Sequence, residues 1–168
     1  MSEADPLAGR VARFDGLQGN QALFIDTVIP GYAREIWSII GPNVGEDRGQ
    51  EAAIPPEDFH LAILKAAPGN GSALHTHTTV EVFVPLTGRW QVFYGDDEAR
   101  EVILGPWDVA SVPAGVWRGF RNAGDDEAYL LVVVGGTDAG RLTWAPEVLE
   151  EAARRGKKLD DAGYMPAD

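Results

Sequence analysis

Gly69-Asn70-Gly71-Ser72-Ala73-Leu74-His75-Thr76-His77-Thr78-Thr79-Val80-Glu81-Val82-Phe83-Val84-Pro85-Leu86-Thr87-Gly88 is the stretch on which the reading of this chain turns. Between its glycines it is rich in β-branched residues, the composition of strand rather than helix. Side chains alternate along an extended chain, so His75, His77 and Glu81, which share one parity, are expected to face a common interior. Two imidazole nitrogens and a carboxylate oxygen suit a divalent metal: iron(II), manganese, nickel or zinc. With positions left open, two histidines and one carboxylate suit in particular a non-haem iron(II) oxygenase. His-x-His alone is a weak signal, since exposed hairpins carry it too.

Outward from this stretch the rhythm is regular. FHLAILK (59–65), SALHTH (72–77), VEVFVPL (80–86), RWQVFY (89–94), REVIL (100–104), DVASV (108–112), VWRGFR (116–121) and AYLLVVV (128–134) follow one another. Turn signals such as Pro68-Gly69, Thr87-Gly88, Gly105-Pro106 and Gly124-Asp125-Asp126 divide them. Short strands at such spacing predict an all-β sandwich or barrel. AYLLVVV is apolar at both parities, so both its faces are expected to be covered. Upstream, ALFIDTVI (22–29) and REIWSII (34–40) also read as strands, parted by Pro30-Gly31. Residues 41–58, rich in Gly, Pro and acidic residues, read as an exposed loop, with an arm or lid as the other option. Downstream, Pro146 opens PEVLEEAARRG, with acidic residues early and Arg154 and Arg155 before Gly156. That order predicts a helix whose charges complement its dipole, with Val148, Leu149 and Ala152 as an apolar stripe. The expected organisation is a flexible lead-in over 1–21, a barrel over 22–140, and a C-terminal helix and tail over 141–168.

Composition narrows the classes. The chain has 168 residues, enough for one domain, and 45% of them are apolar. It has no cysteine, which excludes disulfides and thiolate metal sites. A formal charge of −12 repels phosphate backbones and anionic lipid, so neither nucleic acid nor membrane is the expected partner. The opening MSEADPLAGR has no secretion-signal pattern, so a cytoplasmic location is expected.

The spacing G-x5-H-x-H-x3-E-x6-G from Gly69 to Gly88 resembles the first conserved motif of the cupin superfamily. Further on, Pro113-Ala114-Gly115-Val116-Trp117-Arg118-Gly119-Phe120-Arg121-Asn122 resembles the second, P-x-G-x2-H-x3-N. The glycine that would open this second motif is Trp107, and the histidine that usually supplies the last of four metal ligands is Arg118. The resemblance covers about residues 59–135. It implies a double-stranded β-helix, a jelly-roll-like barrel, and a homodimer, often with sheets extended between subunits. A guanidinium has no lone pair for a metal. By strand parity Arg118 shares a face with Val116 and Phe120 and points inward. At about 5 Å from a divalent ion the repulsion is of order 6–7 kcal/mol at an effective dielectric of 20. Three outcomes are open: Arg118 swings to the pocket mouth, stays near a metal beside a neutralising anion, or pairs with Glu81 in place of a metal.

The expected function is a metal-dependent enzyme acting on a small anionic organic molecule, an oxygenase first. Glu81 and Arg118 are the candidate catalytic residues. Arg118, Phe83, Tyr94 and Phe120 are the candidate substrate contacts, and His75, His77 and Glu81 the metal ligands, iron(II) favoured. The resemblance also admits isomerases, lyases and decarboxylases. A reading of another class is a metal-free binding or sensory barrel that captures an anion through Arg118. His60 is a candidate fourth ligand, but the alternation around it does not settle which way it faces. GGTDAG (135–140) lacks the spacing of a phosphate loop and reads as a turn.

Overall fold

A computed structural model describes residues 5–41, 45–47, 51–96, 98–136 and 142–166. Its strands, numbered along the chain, form two five-stranded antiparallel sheets. One sheet runs in the order β1 (Glu35–Ile40), β2 (Phe59–Ala66), β9 (Ala128–Gly135), β4 (Glu81–Pro85), β7 (Ala110–Val112). The other runs β10 (Leu142–Trp144), β3 (Gly71–His77), β8 (Arg118–Asn122), β5 (Trp90–Tyr94), β6 (Arg100–Leu104). The inner faces meet over a core in which Phe83, Trp90, Val92, Phe120 and Leu130 are buried, with Phe83 and Phe120 stacked edge to face at 5.3 Å. The single α-helix among the described residues, α1 (Pro146–Arg154), follows β10 and buries Val148 and Ala152. It packs against the 3-10 turn Ile25–Val28. Leu149 is exposed, so the apolar stripe is narrower than its sequence suggests.

Alternation is cleanest in β2 and β9. His60, Ala62, Leu64 and Ala66 point inward, as do Ala128, Leu130, Val132 and Val134. The outer residues of β9 are only half-buried; Phe14 and Trp37 pack over Tyr129 there. The lead-in is tied down at those aromatic contacts and at a backbone bridge from Asn20 to Ile36.

Three expectations change. Residues 22–29 are not a strand: Ile25–Val28 form a 3-10 turn that carries the Asp26 carboxylate inside. There Asp26 Oδ2 accepts from Arg34 Nη1 at 2.9 Å and from the Ala73 amide at 3.0 Å, contacts that outweigh the β-propensity of the neighbours. The segment 41–58 is not exposed throughout, because Glu46 is buried and accepts from the Ile25 amide and from Trp144 Nε1, each at 2.6 Å. Residues 42–44 and 48–50 lie outside the described residues, as do Asp97 in the predicted turn after β5 and residues 137–140 of the predicted turn GGTDAG. Finally, the tail carries a strand, β10, which pairs with β3 and places Trp144 opposite His75. No helix among the described residues is long and apolar enough to cross a membrane.

Candidate metal centre

His75 and His77 sit at the end of β3, two residues apart on one face. Glu81 opens β4, which belongs to the other sheet. The chain crosses the barrel at Thr78–Val80, so the three side chains do not converge by alternation along a single strand. They meet because the inner faces of two opposed sheets meet. All three are buried, and one ligand atom from each lies within 4.8 Å of the others. Among the described residues they form the one cluster of this kind.

The orientation of His75 is fixed. Its Nδ1 lies 2.7 Å from the Ala73 carbonyl, which only accepts, so Nδ1 carries the proton. Nε2 then turns a lone pair toward Glu81 Oε2, 3.7 Å away. His77 Nε2 stands 3.8 Å from Glu81 Oε1. A lone pair facing a buried carboxylate calls for a positive centre between them, either a second proton on the ring or a metal ion. Burial by itself would raise the Glu81 pKa; positive charge at His77, Arg118 and His75 around it outweighs that and holds the carboxyl well below the usual range.

Arg118 points inward, as its parity predicts, and is fully buried. Of the third outcome the structure shows the pairing itself: Nε donates to Glu81 Oε2 at 2.8 Å and Nη1 to the Val116 carbonyl at 3.0 Å, which leaves Glu81 Oε1 to the cluster. Nη2 has no hydrogen-bond partner among the described residues. In the sheet, Arg118 lies opposite His75 on one side and Tyr94 on the other.

A cavity of about 50 Å³ borders the centre. His75, His77, Glu81 and Phe120 line it, whereas Arg118, Phe83 and Tyr94 are not among its lining residues. Phe83 is core beneath Phe120, and Tyr94 is half-buried at the far side of Arg118. His60 does face inward and lines the same cavity. In register it shares a row with Val134 and Glu81, two strand spacings (roughly 10 Å) from the carboxylate, and it falls outside the three-residue cluster.

The sequence reading missed two residues. Arg34, just before β1, lines the cavity, and Asp26 holds it there. A lone arginine between two apolar runs carries no motif; the one hint was an aspartate inside a mostly apolar octet.

Residues 62–134 match the family model described as a cupin domain. No curated protein matches the chain in sequence. The chain is similar in structure to oxalate oxidase in complex with the substrate analogue glycolate, with a TM-score of 0.58 and 16% identity over 84% of this chain and 66% of that one. It is similar to a cupin 2 domain-containing protein from Halorhodospira halophila, with a TM-score of 0.52 and 20% identity over 72% and 77%. It is also similar to a chain from the DMSP lyases RdDddP and RnDddQII, with a TM-score of 0.53 and 16% identity over 67% and 52%. This chain thus spans about half the length of that lyase chain. Likeness at these identities is likeness of fold, and with the matched segment it gives one result: the two-sheet barrel that carries His75, His77 and Glu81 has the cupin fold.

Proposed function

We propose that this chain is a metal-dependent enzyme acting on a small anionic organic molecule, with oxygenation the reaction its donor set suits best. The observation that carries the reading is the convergence of three buried ligand atoms within 4.8 Å. The donor set fits a divalent ion. His75 offers the free Nε2, and Glu81 offers Oε1 while Oε2 stays on Arg118. Iron(II) is the favoured ion, with manganese, nickel or zinc also suited to these donors, and it would supply Lewis acidity and redox chemistry beside the substrate.

The protein's own part is positional. The Ala73 carbonyl fixes the His75 ring, and Arg118 anchors Oε2 of Glu81 while Oε1 faces His77. Phe120, Val132 and Val134 give the cavity an apolar wall that keeps water from the centre. Buried positive charge then favours an anionic substrate. The fold does not choose the reaction, since one fold hosts many. An isomerase, lyase or decarboxylase reaction at the same centre is the alternative within this class. A homodimer belongs to the same proposal: β6 is an exposed edge strand, with Val102 and Ile103 about 40% exposed.

The test is elemental analysis of protein purified without chelator, with melting curves in iron(II) or nickel(II). About one metal per chain and a raised melting temperature are expected, both lost in His75→Ala. Protein without stoichiometric metal, whose melting temperature neither ion raises, overturns the reading.

One observation favours a second reading, a metal-free barrel that captures a small anion: the buried Arg118–Glu81 pair at 2.8 Å, with Arg118 Nη2 unpartnered. Arg118→His separates the two. Metal binding that is created or tightened, with anion capture intact, supports the enzyme; loss of all anion binding with no metal gained supports the binding module.

A further inference from the structure

Two arginines are buried among the described residues, and the one that borders the cavity is Arg34. Each hydrogen bond that its guanidinium makes among the described residues runs through Nη1, to Asp26 Oδ2 at 2.9 Å, the Gly71 carbonyl at 2.9 Å and the Tyr32 carbonyl at 3.0 Å. Nε and Nη2 are not spent on these acceptors. Together they form the two-pronged edge that matches the two oxygens of a carboxylate. The Phe24 ring, also on the cavity wall, lies 5.2 Å from the guanidinium carbon and holds its plane.

This cation is built into the same frame as the metal-capable centre. Asp26 Oδ2, which fixes Arg34, also accepts from the Ala73 amide at 3.0 Å and from Ser72 Oγ at 3.4 Å. Ser72 Oγ in turn lies 3.3 Å from Nδ1 of His75. A cavity of about 50 Å³ between them has room for little more than a few water molecules.

We propose that Arg34 is the specificity-determining residue of this cavity, seating the carboxylate of a short-chain acid whose other end faces His75, His77 and Glu81. The acid's length, roughly two to four carbons, follows from the space. The orientation toward the histidines rests on the metal-centre reading; the seat itself does not. Arg118, shut behind Glu81, positions that carboxylate and leaves the substrate to Arg34.

Acetate and its neutral isostere acetamide test the seat by NMR titration of chelator-treated protein, where no metal competes for the carboxylate. Acetate is expected to bind at least tenfold more tightly and to shift the Arg34 Nε resonance. The paired variant Arg34→Gln with Asp26→Asn removes both charges of the buried pair together and so leaves no uncompensated carboxylate. It is expected to lose the acetate preference while keeping the parent's circular-dichroism spectrum and cooperative unfolding. Equal binding of acetate and acetamide by the parent, no binding of either, or a preference that survives in the paired variant would each overturn the proposal. A parent that prefers acetate yet takes up no metal sinks the metal reading alone, and one that takes up metal without the preference sinks the seat alone.

Discussion

Trp107 holds a backbone conformation that its side chain disfavours: φ is 72°, in the left-handed region, and the indole is 74% exposed. This is the position where the second motif would carry glycine, so the departure seen in the sequence is a strained residue in the structure. Trp107→Gly is expected to stabilise the fold by about 1 kcal/mol, measured by urea unfolding, because relief of the strain outweighs the little packing that so exposed an indole provides. Arg118 behaves in the opposite sense. Removing it alone, as Arg118→Met, strands the Glu81 carboxylate in the interior at a cost of about 3–5 kcal/mol. Adding Glu81→Gln is expected to recover much of that loss, since the cost lies in the unpaired charge. A double-mutant cycle by urea unfolding checks both numbers. Arg118 was legible before any coordinates, since motif and parity both pointed inward. Arg34 and Asp26 were not, because their pairing joins segments that a linear reading keeps apart.

At the level of strands and loops, Gly71 is the least replaceable glycine of the site's frame. A Cβ there would stand 1.8 Å from the backbone oxygen of Phe120, across the β3–β8 pairing. Backbone cannot yield as a side chain can, so Gly71→Ala is expected to part β3 from β8 and to lower both thermal stability and metal uptake, read by melting curves and titration with nickel(II). Glu46 gives the loop before β2 a pH dependence. Burial pushes its pKa up from 4.5 to about 7, against the hydrogen bonds from Trp144 and Ile25, and nearby Asp26 adds to the rise while Arg34 opposes it. Between those values the folded chain keeps a proton that the unfolded chain has lost, so Glu46 contributes most stability below pH 4.5 and loses it as pH rises through 7. The full change is on the order of 3 kcal/mol. Unfolding of the parent and of Glu46→Gln at pH 5 and pH 8 is expected to show the parent's relative stability falling with pH; parallel values at the two pH values contradict it. Both features show where the strand reading stops. Alternation located β3 and β4 and the inward side of each, yet it argued the common face of His75, His77 and Glu81 from one continuous parity, which a turn of three residues leaves unchanged. It missed β10, which is too short to show a period, and it read Asp26 into a strand because burial of a carboxylate depends on distant partners.

For the molecule as a whole, an all-β barrel was legible from short strands between regular turns, whereas the pairing of distant segments such as β2 with β9 and β3 with β8 was not. Association is the untested property at this scale. Sedimentation is expected to give twice the 18.1 kDa of one chain, and Val102→Lys on the exposed edge of β6 to return it to a single chain. A parent that sediments as one chain at micromolar concentration refutes the dimer. The Arg118–Glu81 contact also bears on endurance. Where acidic ligands have only a cation to balance them, stripping that cation tends to unravel the chain around them. Here the glutamate keeps a counter-charge of the protein's own, so prolonged dialysis against a chelator should leave the barrel folded and ready to be recharged without refolding.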